Sequence, residues 1–248
     1  MMPDKEKIFL KDGERLEDLQ FKGMKVIQAS DSFRFGTDSV LLAGFCRVGA
    51  KANCIDLGAG CGVLSILVHA RTNCRVTAVE IDKNQYSRIE RSIDLNHIGE
   101  NVRAMNLDYI AEYDKIGRGI YDAVICNPPY FKNNCGSIPD SGSATHELCA
   151  DIDGISEVTN KLLKFGGKLF MCFPAGRVCD AVFSLKMNGI EPKVIRFVAS
   201  TSEARPYLAL IEGKKGAKPG MIIEKNLIIY EKNKQYTKEV RRIYHEQQ

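Results

Sequence analysis

The chain has 248 residues, 44% hydrophobic and 27% charged, with a formal net charge of +4, enough apolar material for one sizeable core. No run approaches ~18 consecutive apolar residues, which argues against a helical membrane span, and the charged first twenty residues predict no secretory signal. Nine cysteines without a C-x-x-C pair leave no ordinary zinc spacing, so no metal is expected.

In chain order, residues 24–45 (MKVIQASDSFRFGTDSVLLAGF) predict a hairpin and then a helix capped by Thr37, with Asp38 in its first turn. Strands are expected at 53–57, 75–80, 101–106, 121–127, 167–173, 191–198 and 207–213, and helices roughly at 62–70, 84–97, 152–164 and 175–188. Residues 213–220 (GKKGAKPG) read as a basic, glycine-rich loop, and the tail as a short helix. Cys54, Cys126 and Cys172 sit inside apolar runs, where a thiol behaves as a small hydrophobe, and nine thiols suit a reducing cytoplasm.

Strand–helix alternation with short connections predicts an α/β, Rossmann-like sheet. Its seven strands would be mostly parallel, with helices on both faces and an N-terminal hairpin/helix extension. One domain is expected over 1–248: an extension to residue 50, a core over 51–213 and a basic segment over 214–248. Residues 1–160 hold 18 Lys+Arg against 23 Asp+Glu, and residues 161–248 hold 17 against 8. A basic C-terminal third fits a polyanion footprint or plain solvated lysines, and charge alone leaves both open.

The stretch CIDLGAGCGVLSI (54–66) follows the first core strand and opens a helix. Gly58, Gly60 and Gly62 suit a turn where backbone can approach a ligand beside a helix N-terminus. The spacing is G-x-G-x-G, not the G-x-G-x-x-G of nicotinamide sites. Asp56, two residues ahead, would repel a pyrophosphate and suits a cationic ligand such as S-adenosylmethionine. Glu80 ends the next strand, where a carboxylate can accept ribose hydroxyls. Asp108 follows the third strand and would take an adenine amino group. Each acid alone is as well explained as a surface or capping group; together they describe one crevice at the carboxyl edge of the sheet.

DLGAGCG, Glu80 and the NPPY of Asn127, Pro128, Pro129 and Tyr130 together resemble class I S-adenosylmethionine-dependent methyltransferases over residues 35–212. The resemblance implies methyl transfer to a planar amine nitrogen. The Asn127 side-chain oxygen and the Pro128 carbonyl would accept its two N–H bonds. Prolines at 128 and 129 stiffen the turn, so these acceptors are ordered before charge develops. Tyr130 would stack a flipped-out base, supported by Phe131. The alternative is a stiff strand-exit turn with two core aromatics. His146–Glu147 reads as a surface pair in the long segment 131–150.

In families that share NPPY the acceptor is adenine N6, cytosine N4 or a glutamine amide. Release-factor glutamine enzymes carry a sizeable helical domain before the cofactor loop, whereas here a hairpin and one helix precede it. Amino-group enzymes acting on rRNA share the core but often duplicate the domain. Residues 14–45, DLGAGCG, NPPYF and RPYLALIEGKKGAK (205–218) resemble the bacterial tRNA1(Val) (adenine-37-N6)-methyltransferase family, which implies a tRNA anticodon-loop partner. Lys214, Lys215 and Lys218 would then contact phosphates, with Arg196, Arg205, Arg241 and Arg242 extending the footprint.

Overall fold

A computed structural model of the chain describes residues 8–31, 35–128 and 152–244. The first strands, β1 (Glu14–Asp18) and β2 (Lys25–Ala29), form an antiparallel hairpin. The hairpin therefore begins ten residues before the stretch that predicted it. The charged β1 carries one apolar residue, Leu16, and is held from outside itself. Arg91 grips both Glu14 carboxylate oxygens at 2.5 and 2.7 Å, and Arg88 adds a bond at 3.1 Å.

Helix α1 (Thr37–Phe45) follows. Its N-cap is Gly36, with no side-chain cap, where Thr37 was expected. Thr37 is instead the first helical residue, close enough to Tyr244 that, against the larger upward effect of burial, its hydroxyl lowers the pKa of that phenol. Then come β3 (Asn53–Leu57), α2 (Val63–Thr72), β4 (Arg75–Glu80), α3 (Lys83–Leu95), β5 (Val102–Asn106), the single turn α4 (Tyr113–Ile116) and β6 (Tyr121–Cys126). After the undescribed stretch lie α5 (Ile152–Leu162), β7 (Leu163–Pro174), α6 (Val178–Met187), β8 (Ile190–Ala199) and β9 (Leu208–Lys215). The chain then forms two-residue strands β10 (Ile222–Ile223) and β11 (Leu227–Ile228), and helix α7 (Lys238–Tyr244).

The large sheet has the order β5-β4-β3-β6-β7-β9-β8, with β10 and β11 both pairing along the outer edge of β8. Seven strands were expected; the two extra ones are too short to show in a hydrophobic pattern. Only β9 runs antiparallel to its neighbours. The carboxyl ends of β3 to β8 therefore share one edge, and β9 starts there, with Leu208 opposite Pro174 and Val198.

Side chains alternate across the sheet. Cys54, Val76, Ala78, Ile125, Phe170 and Cys172 face a core with α1, α2, α3 and the hairpin. Ile55, Leu57, Val79, Val124, Leu169 and Met171 face a second core with α5 and α6. This two-sided burial explains the continuous apolar runs. The free edge of β2 is covered by α3: Ile27 N–H donates to Ser92 Oγ, and Lys25 exchanges two bonds with Asn96. An edge strand is thereby closed to other chains.

Candidate active site

Leaving β3, the chain must turn sharply to enter α2. Gly58, Gly60 and Gly62 all adopt positive φ, of 71°, 57° and 87°. The loop hangs from the end of β4, since the N–H groups of Gly58 and Ala59 both donate to the Val79 carbonyl. Gly62 stands at the N-cap of α2, and a Cβ there would come within 3.2 Å of Ile89 on α3. Both its left-handed backbone and this close approach exclude a larger residue.

Asp56 lies on the same face of β3 as Cys54, beneath α1 and α2. It is 1% exposed and accepts the Ser65 hydroxyl at 2.7 Å. Burial, opposed by the Ser65 bonds and reinforced by the Glu80 charge, pushes its pKa up to about 7. Asp56 makes no ion pair among the described residues. A buried carboxylate lacking a countercharge suits a cationic ligand, whose arrival would restore ionisation. The residues present therefore fit the sulfonium and ammonium of S-adenosylmethionine.

Glu80 is 8% exposed and organises the loop: one oxygen accepts Gly60 N–H at 2.7 Å and the other Asp82 N–H at 2.9 Å. Each carboxylate oxygen can accept a further bond, so a ribose-binding role remains open to it. Asp108 Oδ1 accepts the N–H groups of Ile110 and Ala111, which closes a turn just beyond β5. Both acids thus stand on the expected edge with structural duties there.

Asn127 follows β6 onto the same edge. A cleft of about 250 Å³ is lined by Asn127, Asp56, the loop residues Gly58 to Cys61, Phe35 and Gly36 ahead of α1, and Ser39 in its first turn. The half-buried Asn127 amide is held at both ends. Its Nδ2 donates to Ser39 Oγ at 2.8 Å, and its Oδ1 accepts the Cys172 thiol at 2.9 Å. Sequence reasoning missed Ser39 and Cys172, because contacts across 88 and 45 residues leave no spacing signal. Pro128 is buried. Pro129, Tyr130, Phe131 and the His146–Glu147 pair lie outside the described residues.

The expected footprint lysines stand elsewhere. Lys214 stands opposite Lys168, midway along β7 and six rungs from Pro174, or about 20 Å from the cleft edge. Lys215 Nζ donates to the carbonyls of Asn160 and Leu163 and so binds the end of α5. Lys218 follows on that far side, where its carbonyl accepts a bond from Lys193. Arg196 pairs with Glu239 at 2.8 Å and Arg241 with Glu231 at 3.6 Å. Arg205, by contrast, is exposed in the loop that enters β9 at the cleft edge. Among the described residues no acid, histidine and cysteine cluster could hold a metal ion, and no helix is long and apolar enough to cross a membrane.

Residues 19–176 match the model of the methyltransferase small domain family. A tRNA1(Val) (adenine(37)-N6)-methyltransferase of Shewanella halifaxensis is 28% identical over 64% of this chain, a match spanning 65% of that relative. An enzyme of the same name from Haemophilus influenzae (strain 86-028NP) is 24% identical over 88% of this chain and 92% of its own length. Among solved structures, a predicted O-methyltransferase from Agrobacterium tumefaciens superposes with a TM-score of 0.69 at 19% identity, covering 84% of this chain and 95% of that one. TYW2 from Pyrococcus horikoshii in complex with MeSAdo gives 0.58 at 16% identity, covering 84% and 73%; both share the fold. The chain therefore belongs to the methyltransferase small domain family and is an S-adenosylmethionine-dependent methyltransferase.

Proposed function

We propose that this protein methylates N6 of an adenine in tRNA, with adenine 37 of tRNA1(Val) as the specific base. The observation that carries this reading is that Asn127 and the glycine turn line one cleft with Asp56. An amine acceptor and a candidate cation site thus share one cleft. The names of the Shewanella and Haemophilus relatives supply the adenine and the tRNA. A tRNA substrate fits the expected cytoplasmic location.

S-adenosylmethionine, when bound, supplies an electrophilic methyl group on a sulfonium. Asp56 holds the cationic end, the glycine turn admits the ligand against backbone, and Glu80 and Asp108 take its nucleoside. An adenine amino nitrogen is a weak nucleophile, because its lone pair is delocalised into the ring. The Asn127 oxygen has a second lone pair beyond the one facing Cys172. That lone pair and the Pro128 carbonyl accept the two N–H bonds. These bonds strengthen as positive charge grows on nitrogen, so they favour the transition state over bound substrate. The surplus proton then leaves to water, and no separate base is required. Tyr130 is assigned the base-stacking role by its sequence position.

Incubation with labelled methyl donor and either total tRNA or a release factor tests the reading. The expected result is label in tRNA, recovered as N6-methyladenosine. Label in the release factor instead would assign the site to a glutamine amide.

A further inference from the structure

A tyrosine ladder runs away from the cleft along the carboxyl edge, and the chemistry described so far does not use it. Tyr207 is pinned at the mouth of β9: its N–H donates to the Val198 carbonyl, and its own carbonyl accepts Ala175 N–H. It is 43% exposed. Tyr230 is fixed to the end of β8 through Ser200 and is 39% exposed. A tight turn over Glu231–Gln235 returns the chain so that Tyr236 stacks on Tyr230, with centroids 5.4 Å apart at 16°. Tyr244 stacks on Tyr236 in turn, at 5.2 Å and 11°. The ladder adjoins the cleft wall, because the helix that carries Tyr244 packs on the helix that carries Ser39, the residue holding Asn127.

Cations flank these rings. Lys232 and Lys234 occupy the turn between Tyr230 and Tyr236, and Arg205 precedes Tyr207 by two residues. All three are exposed and make no ion pair among the described residues. The two acids of the segment 225–244, Glu231 and Glu239, are taken by Arg241 and Arg196. Exposed aromatic faces interleaved with unneutralised cations suit a single-stranded polyanion whose own units carry flat rings. Protein interfaces also favour Tyr and Arg but are depleted in lysine, so Lys232 and Lys234 beside the rings favour the polyanion.

The geometry points to the exposed rings of Tyr207 and Tyr230, the latter backed by Tyr236, with Arg205, Lys232 and Lys234, as the surface on which the RNA loop lies while its target base enters the cleft. This inference rests on the proposed RNA substrate and moves the main footprint from the Lys214–Lys218 edge to the cleft edge. Bases neighbouring the target stack on the exposed tyrosine faces, and the three cations take the phosphates between them.

Binding of an anticodon stem-loop RNA to the full chain, followed by fluorescence anisotropy across a salt series, tests the surface. Tyr207→Ala and Tyr230→Ala should each weaken binding by about 5- to 150-fold, the fold-change equivalent of one lost base stack. Tyr230→Phe, which keeps the ring, should bind close to wild type. Arg205→Gln, Lys232→Gln and Lys234→Gln together should reduce the salt slope by roughly 2. Calorimetric binding of S-adenosylmethionine should be unchanged in every variant, which separates a lost surface from a lost fold. Unchanged RNA affinity in both tyrosine-to-alanine variants overturns the inference, as does a loss confined to Lys214→Gln/Lys218→Gln. If wild type binds and methylates tRNA while the ladder variants behave normally, only this surface is wrong. If wild type neither binds nor methylates any RNA, the proposed substrate falls and takes the surface with it.

Discussion

At the residue scale, the proposed chemistry would rest on two side chains held by opposite means. Asn127 is held rigid, with its amide bonded to Ser39 at one end and Cys172 at the other. An acceptor ordered in advance needs no reorganisation when charge appears on the substrate. Asn127→Ala should lower turnover by about 10²–10³ while leaving methyl-donor affinity nearly intact; single-turnover rates and calorimetry separate the two. Asp56 is held short of full ionisation: burial keeps its pKa up at about 7. If Asp56 holds the cationic donor as proposed, the donor would bind the ionised form, so affinity should rise through neutral pH to a plateau. Below pH 7 it should fall by up to about tenfold per unit, as each bound cation first requires loss of a proton. Asp56→Asn should bind weakly and with no such slope. A wild-type affinity flat from pH 6 to 8 would remove Asp56 from cation binding.

At the scale of single elements, the hairpin shows how a weak strand is recruited. Only Leu16 in β1 is apolar, and the strand depends on the Arg91 fork on Glu14. The side-chain bond from Arg91 is the largest influence on Glu14 and holds its pKa at about 2. A depressed carboxylate contributes stability above its unfolded value and loses it as pH falls through the folded value. The contribution is therefore complete above about pH 4.5 and lost toward pH 2. Glu14→Gln should cost about 1.5–3 kcal/mol at pH 7 and flatten the acid dependence of denaturant midpoints in that window. The core strands were legible because β3, β4 and β6 are apolar on both faces. The hairpin was misplaced because β1 is not, and β10 and β11 were missed because two residues carry no period.

At the scale of the whole molecule, the last helix closes onto the N-terminal extension. Helix α7 lies against α1, with Val240 fully buried and Ile243 over Gly44. The Arg71 guanidinium donates to the Ile243 carbonyl and stacks 4.0 Å from the Phe21 ring centroid. Val240→Ala should lower stability by about 2 kcal/mol through lost burial and the cavity left behind, read as a lower thermal midpoint. The same packing brings the Tyr244 hydroxyl to Thr37 and the tyrosine ladder to the wall of the cleft.

The sequence by itself determined the sheet, the glycine turn and the acids at three successive strand ends. Those features rest on local periodicity and on residues whose backbone preference acts wherever they stand. Only the tertiary structure decided that Ser39 and Cys172 grip Asn127, that Lys214 and Lys215 stand about 20 Å from the cleft edge, and that four tyrosines of the C-terminal segment gather beside it. The physical reason is the direction of β9: because it alone runs backwards through the sheet, Arg205 and Tyr207 come to the cleft edge, and the lysines that follow them in the chain are carried to the opposite one.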